Sequence, residues 1–466
     1  MSKVFYTKFS ELSGNRFDAS YYIPELVELE KKVTNLSTKK LKDFVVSISS
    51  GATPKKSANN DYYEEDKNKG IPFLRVQNLT TFGKLDFKGL KYITPETHHK
   101  MLKRSQVVED DLLIKITGVG RMAIASVPDK GFIGNTNQHM VVVKTKSREV
   151  SETLATYLNL DIAEKLASRR ATGGTRPALD YPALLSIPVI YDEKIVQKMN
   201  DAYKQKEAKA KEAKAKLESI DNYLLDALGI ELPEKQDESV EDRVFFRKFS
   251  EVSENRIDPL FYNHEFYIYE KLLKEKPFRK FKYFINSINN GFDFRDYQTS
   301  GTPYLKVANI KKGSFDFSKI QYINFDSSDI DKNIKLKKGN LLLTRKGTFG
   351  NALALDNDYN YVISSEIFYI ELKKELINTD FLEIYFNSYM GQLQFDNNKI
   401  GAIMGSLSQG AIRELIIPTP LPNLQETIVT HITNLKNEAK ALKEEASQIY
   451  NEAKAEVERM ILGEKV

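Results

Sequence analysis

Residues 193–228 read EKIVQKMNDAYKQKEAKAKEAKAKLESIDNYLLDAL, a stretch without Gly or Pro and rich in Ala, Lys, Glu and Leu. These residues lose little freedom in a helix, so the composition predicts one over Glu193–Leu228. Its apolar positions alternate steps of 3 and 4: Val196, Met199, Tyr203, then Ala210, Ala213, Leu217, Ile220, Leu224 and Ala227, with Lys206 breaking the seam. A repeat of about 3.5 residues makes a narrow stripe that must pack on another helix. At 1.5 Å per residue the rod is about 54 Å long.

The C-terminal stretch Leu424–Leu462 has the same character. Its seam runs Ile428, Ile432, Leu435, Ala439, Leu442, Ala446, Ile449 and Ala453. Two rods with matching stripes can pair within the chain, antiparallel if the segment between them is compact. Each could instead pack on its own globular neighbour or in a homodimer, and a repeat in the rest of the chain favours pairing.

At Phe5 the chain reads FYTKFSELSGNRFDASYY, and at Phe245 FFRKFSEVSENRIDPLFY. Lys8, Phe9, Ser10, Glu11, Ser13, Asn15, Arg16, Asp18 and Tyr22 recur at a constant offset of 240 as Lys248, Phe249, Ser250, Glu251, Ser253, Asn255, Arg256, Asp258 and Tyr262. With gaps, IPFLRVQNL (71–79) answers TPYLKVANI (302–310), LDFKGLKYI (85–93) answers FDFSKIQYI (315–323), and DDLLIKITGVG (110–120) answers GNLLLTRKGTFG (339–350). The protein is a tandem duplication of a globular unit followed by a rod. Strand-like runs are expected at Pro72–Val76, Leu112–Ile116 and Met140–Lys144, and at Pro303–Val307, Leu341–Thr344 and Ile367–Leu372. A helix follows in each copy, Ser151–Ser168 and Asp380–Phe395.

The length of 466 residues allows two to four domains. No run of 18 apolar residues occurs and MSKVFYTKFSELSG has no signal-peptide core, so a cytoplasmic location is expected. Without Cys, disulfides and thiolate metal sites are excluded, and five scattered His argue against a bound metal. A net charge of +5 permits a nucleic-acid partner.

Three motifs suggest catalysis and fail on context. Gly118-Val-Gly120-Arg-Met-Ala123 fits a G-x-G-x-x-A fingerprint, but Ile124–Pro128 reads as a strand where a helix is needed. Gly51-Ala-Thr-Pro-Lys-Lys-Ser57 lacks the second Gly of a P-loop. Asp356, Glu371 and Lys373 mimic a nuclease set, but the first copy has Val143 and Thr145 at the positions aligned with Glu371 and Lys373.

What remains suits binding. Loops at matching places carry Lys55, Lys56, Arg75, Gln77, Asn78, Lys115, Thr117, Arg121, Asn137, Gln138, Thr172, Thr175 and Arg176 in the first copy. The second carries Arg295, Lys306, Asn309, Lys311, Thr344, Arg345, Lys346, Ser365, Ser406 and Gln409. Arg and Lys neutralise phosphates or pair with guanine, and Asn and Gln read adenine.

The NRFDASYY and NRIDPLFY openings, the RVQNL and KVANI segments, LLLTRKGTFG, and the GGTRPALDYPALLSIP and GSLSQGAIRELIIPTPLPNLQETIV leads into the rods together resemble the specificity (S) subunit of type I restriction–modification systems. The resemblance implies an α/β (α+β) fold with target-recognition domains over 1–190 and 245–422, a linker over 231–244, and helices over 191–230 and 423–463 forming an antiparallel coiled coil with pseudo-two-fold symmetry. It implies that each domain reads half of a bipartite, asymmetric site on double-stranded DNA while the coiled coil sets the spacer. Methyltransferase (M) subunits and a motor and nuclease (R) subunit would join it, with S-adenosylmethionine and ATP/Mg on those partners, no cofactor on this chain, and no catalytic residue. A coiled-coil protein-binding adaptor, the detached recognition part of a single-chain restriction–methylation enzyme, and a two-site nuclease are the alternatives.

Overall fold

The structure, a computed structural model, describes residues 4–9, 12, 16–55, 62–232, 246, 248–249, 252, 262, 264–325, 334–401 and 405–464. Lys56, most of the linker and most of the second NRIDPLFY opening lie outside the described residues. By its packing the chain divides into two units, residues 1–211 with 442–466, and residues 212–441.

The first unit opens with α1 (Pro24–Leu36), β1 (Ser47–Ser50), β2 (Tyr63–Glu64), β3 (Ile71–Leu74) and β4 (Lys91–Ile93). Next come α2 (Pro95–His99), β5 (Gln106–Val108), β6 (Leu112–Lys115), β7 (Ala125–Ser126), β8 (Ile133–Thr136) and β9 (Met140–Lys144). Helices α3 (Arg148–Leu158), α4 (Asp161–Arg170) and α5 (Tyr181–Leu185) lead into the long α6 (Lys194–Leu228). One sheet has the antiparallel order β1-β9-β6-β7, and the other the order β2-β4-β3-β8-β5 with β3 and β8 parallel. Residues alternate faces along a strand. Leu112, Ile114, Val141 and Val143 therefore face the helices, while Leu113, Met140 and Val142 meet Leu74 and Val107 of the second sheet. Burial on both faces is why β6 and β9 read as unbroken apolar runs.

The second unit repeats this plan. It has α7 (His264–Lys274), β10 (Phe278–Lys280), β11 (Ile285–Asn290), β12 (Thr302–Leu305), β13 (Ile310–Lys311), β14 (Ser314–Phe315), β15 (Gln321–Ile323) and β16 (Leu341–Thr344). Then come β17 (Ala352–Ala354), β18 (Val362–Ile363), β19 (Ile367–Leu372), α8 (Thr379–Asn387), α9 (Tyr389–Asn398), α10 (Gln409–Arg413), β20 (Ile416–Pro418) and α11 (Pro422–Ile461). Its main sheet, β11-β19-β16-β17, matches the first unit's strand for strand, and β15-β12-β18 matches β4-β3-β8, again with the last pair parallel. Leu341, Leu343, Phe368 and Ile370 face helices, and Leu342 and Tyr369 face the smaller sheet.

Where one helix per copy was expected, each unit has two. The break falls at Asn159–Leu160 and at Ser388. Asn159 clamps the edge strand, its Oδ1 accepting from the Ala125 N–H at 3.1 Å and its Nδ2 donating to the Ala125 carbonyl at 2.7 Å. Asn387 does the same to Ala352 at 3.0 and 2.8 Å. The repeated opening also has a structural role in the first unit. Arg16 forks onto Asp18 at 2.7 and 2.9 Å and donates to the Arg170 carbonyl at the end of α4 at 3.1 Å.

In both units the long helices pair antiparallel. Within the first, Lys198 bridges Glu456, and Lys209 bridges Glu445 at 2.8 Å, so advancing along α6 retreats along α11 by the same count. Within the second, Lys216 bridges Glu438 at 2.7 Å and Tyr223 stacks on His431 at 3.9 Å between centroids. The seam residues Met199, Leu224 and Ile432 are buried, and Leu217, Ile220, Leu435, Leu442 and Ile449 are half-buried. Lys206, the break in the seam, lies 3.8 Å from the Phe82 ring and 5.1 Å from Tyr450. Among the described residues no helix is long and apolar enough to cross a membrane.

Candidate nucleic-acid interface

In the second unit β11 and β16 both run antiparallel to β19, and β12 runs parallel to β18. Four strand ends meet in a cleft of about 460 Å³ lined by Asp293, Arg295, Tyr297, Lys306, Arg345, Lys346, Ser364, Ser365 and Glu366. The backbone ties these loops together. The Arg345 N–H donates to the Glu366 carbonyl at 2.9 Å, the Leu407 N–H to the Arg345 carbonyl at 2.8 Å, and the Phe292 N–H to the Ile363 carbonyl at 2.9 Å. A Cβ on Gly291 would sit 1.9 Å from the Ile363 oxygen, so this approach requires glycine. Lys306 Nζ stands 4.1 Å over the Tyr297 ring and Arg345 5.0 Å from the Phe368 centroid. Ser365 donates to Asp293, and Gln409 donates to Asn290 at 3.1 Å.

The first unit builds the same place from different side chains. A Cβ on Gly51 would lie 1.7 Å from the Thr136 oxygen, the counterpart of the Gly291 approach. Thr53 donates to Gln138 at 2.6 Å where Ser365 meets Asp293 in the other unit. Lys55, Gln77 and Gln138 are exposed, and Arg75 is half-buried, its guanidinium on the Gly89 carbonyl at 2.8 Å. Thr172, Thr175 and Arg176 sit on an exposed loop closed by the Thr172–Ala178 backbone pair at 2.9 and 2.8 Å. That loop bridges to Thr117, as Ser406 bridges to Lys346. Arg176 lies 3.2 Å from His139 Nε2, and burial, then the Arg176 charge, hold that imidazole below its ordinary pKa.

Several expected contacts lie inside the fold instead. Asn78 is fully buried, accepting from the Arg75 N–H at 2.9 Å and donating to the Asp86 carbonyl at 2.7 Å. Asn309 makes the same pair with Lys306 and Asp316 at 2.9 and 2.8 Å. Lys115 is buried, donating to the Val119 and Arg121 carbonyls at 2.8 and 2.9 Å, and burial lowers its pKa. It fills the Gly118–Gly120 loop from within, and β7 follows, so that loop is no phosphate cradle. Arg121 pairs with Asp161 at 2.7 Å, Thr344 is buried and accepts from the Asn351 N–H at 2.9 Å, and Asn137 is buried and accepts from the His139 N–H at 3.1 Å. Lys311 is exposed and pairs with Asp316 at 3.6 Å, away from the cleft lining.

Asp356, Glu371 and Lys373 are engaged separately, with Tyr359, with Ser287 at 2.9 Å and with the Tyr283 carbonyl at 3.2 Å. Sequence reasoning missed Asp293 and Tyr297 in the second unit. In the first it missed Lys100, Lys103 and Arg104, which line a cleft of about 580 Å³ beside Gly51. The KMLKR run (100–104) is a basic cluster that could have revealed the latter three.

Residues 272–451 match the family described as "Type I restriction modification DNA specificity domain". No curated protein matches. Among solved structures, one described as "Structural basis underlying complex assembly and conformational transition of the type I R-M system" aligns over 91% of this chain and 96% of its own, at 12% identity and a TM-score of 0.49. The type I S subunit from M. genitalium aligns over 91% and 94% at 12% identity and 0.37, and the HsdS subunit from Thermoanaerobacter tengcongensis over 92% and 96% at 12% identity and 0.36.

Proposed function

We propose that this chain, whose residues 272–451 match the type I restriction modification DNA specificity domain and whose first unit repeats the second's main sheet strand for strand, is the sequence-reading subunit of a type I restriction–modification complex. One observation supports this most. Two units share a frame down to the asparagine clamps on Ala125 and Ala352, yet present different side chains on the loops at their strand ends. A shared frame with divergent loops is what two readers of different sequences require, since base edges specify and the frame only positions.

Each unit then reads one half of a two-part site, and the length of the paired long helices sets the number of base pairs between the halves. Methyltransferase subunits that flip an adenine, and a motor and nuclease subunit, supply the chemistry with their own S-adenosylmethionine and ATP/Mg. This chain contributes specificity in the cytoplasm and no catalytic group. The test is to map methylated bases in DNA treated with the full chain and its methyltransferase partner. A two-part asymmetric motif is expected, with one half altered when residues 245–422 are exchanged for another such unit. A motif that changes in both halves, or the absence of any motif, refutes the proposal.

A further inference from the structure

The cleft of the second unit is of mixed charge. Arg295, Lys306, Arg345 and Lys346 share it with Asp293 and Glu366. A phosphate offers only acceptors and would be repelled by both carboxylates, whereas a base-pair edge offers acceptors and donors side by side.

Arg345 is the cation built most firmly into this site. It follows directly from β16, both its backbone groups are hydrogen-bonded, and its guanidinium is braced by the Phe368 ring. Its Nε is buried without a hydrogen-bond partner, and among the described residues it has no ion pair. The Ser364 hydroxyl lining the same cleft is also unpartnered, in a residue only 4% exposed. Glu366, whose carbonyl holds the Arg345 N–H, has a carboxylate without ion pair or hydrogen bond among the described residues.

A five-donor guanidinium beside an unclaimed carboxylate fits the major-groove edge of a G·C pair, where guanine O6 and N7 accept and cytosine N4 donates. An A·T pair would set the adenine N6 donor against the guanidinium. Resting on the DNA-reading function above, we infer that the second unit reads a G·C pair, with Arg345 on guanine and Glu366 on its cytosine. In the first unit Ile116, nearly buried, continues β6 where Arg345 continues β16, so the device belongs to one half-site.

The test is selection from a randomised duplex DNA pool by the full chain, unaltered and as Arg345→Gln, Arg345→Lys and Glu366→Gln. The unaltered chain should enrich a G·C column in one half. Arg345→Gln should cut that preference about tenfold or more and shift it toward A·T, Arg345→Lys should weaken it, and Glu366→Gln should weaken the same column. The other half should not change. An unchanged column, or a loss of affinity equal for all sequences, overturns the inference while leaving DNA reading intact. Failure of the unaltered chain to enrich any sequence removes both. If Arg345→Gln does not fold, the conservative Glu366→Gln decides alone.

Discussion

Replacing Asn78 with Ala separates a frame residue from a reading residue. The amide is fully buried and closes the turn after β3 with bonds of 2.9 Å from the Arg75 N–H and 2.7 Å to the Asp86 carbonyl. Alanine leaves both backbone groups without their partner, and a buried group left unsatisfied costs about 1–3 kcal/mol. The Asp86 carbonyl can turn to water, so the expected loss is about 3 kcal/mol. For a unit of this size that corresponds to a fall of about 6–12 °C in melting temperature. Gln77, its exposed neighbour, makes no side-chain hydrogen bond or ion pair among the described residues, and Gln77→Ala should leave stability within about 0.5 kcal/mol. Calorimetry of the full chain reads the first effect, and selection from randomised DNA reads whether either variant changes base preference. An Asn78→Ala protein that melts as the unaltered one does but prefers different bases would refute the assignment of this amide to the frame.

Two further outcomes follow from the first unit. His139 is held below the ordinary 6.5 by burial and then by Arg176, so the unfolded chain takes up the proton more readily than the native one. Stability is therefore full above about pH 6.5 and declines as the pH falls below it. Denaturation midpoints between pH 7.5 and 5.5 should fall less for His139→Gln than for the unaltered chain, and equal slopes would count against the coupling. Lys206 sits against the Phe82 and Tyr450 rings, and Lys206→Glu should cost about 2 kcal/mol by setting an anion against two ring faces. A thermal melt unmoved by that change would show that the contact contributes nothing.

The duplication, the central strands and both rods were legible because periodicity and repetition are one-dimensional signals. Met140–Lys144, Leu341–Thr344 and Ile367–Leu372 are strands at the bounds their apolar runs predict, and α6 begins one residue from its expected start. The break between α3 and α4 was not legible, because Asn159 is an ordinary helix residue until its amide meets Ala125 across the fold. The site was only half readable for a related reason. Recurrence in both copies does not by itself mark a binding residue, since Asn78 and Asn309 recur because they close the same turn. What recurs is mostly scaffolding. The residues that set the two clefts apart are those that differ, such as Arg345 where the other copy has Ile116. Lys115, charged but buried, gives no sign in sequence that it looks inward.

The first unit takes Tyr450, Val457 and Ile461 of α11 into its core, against Met199 and Ala202 of α6. During synthesis, residues 1–211 emerge from the ribosome long before those side chains exist. The portion translated first is thus the last to finish folding, and it waits with an apolar groove uncovered until the closing helix arrives. A chain interrupted after residue 441 keeps every residue of the second unit and leaves the first unit's core open along Met199 and Ala202.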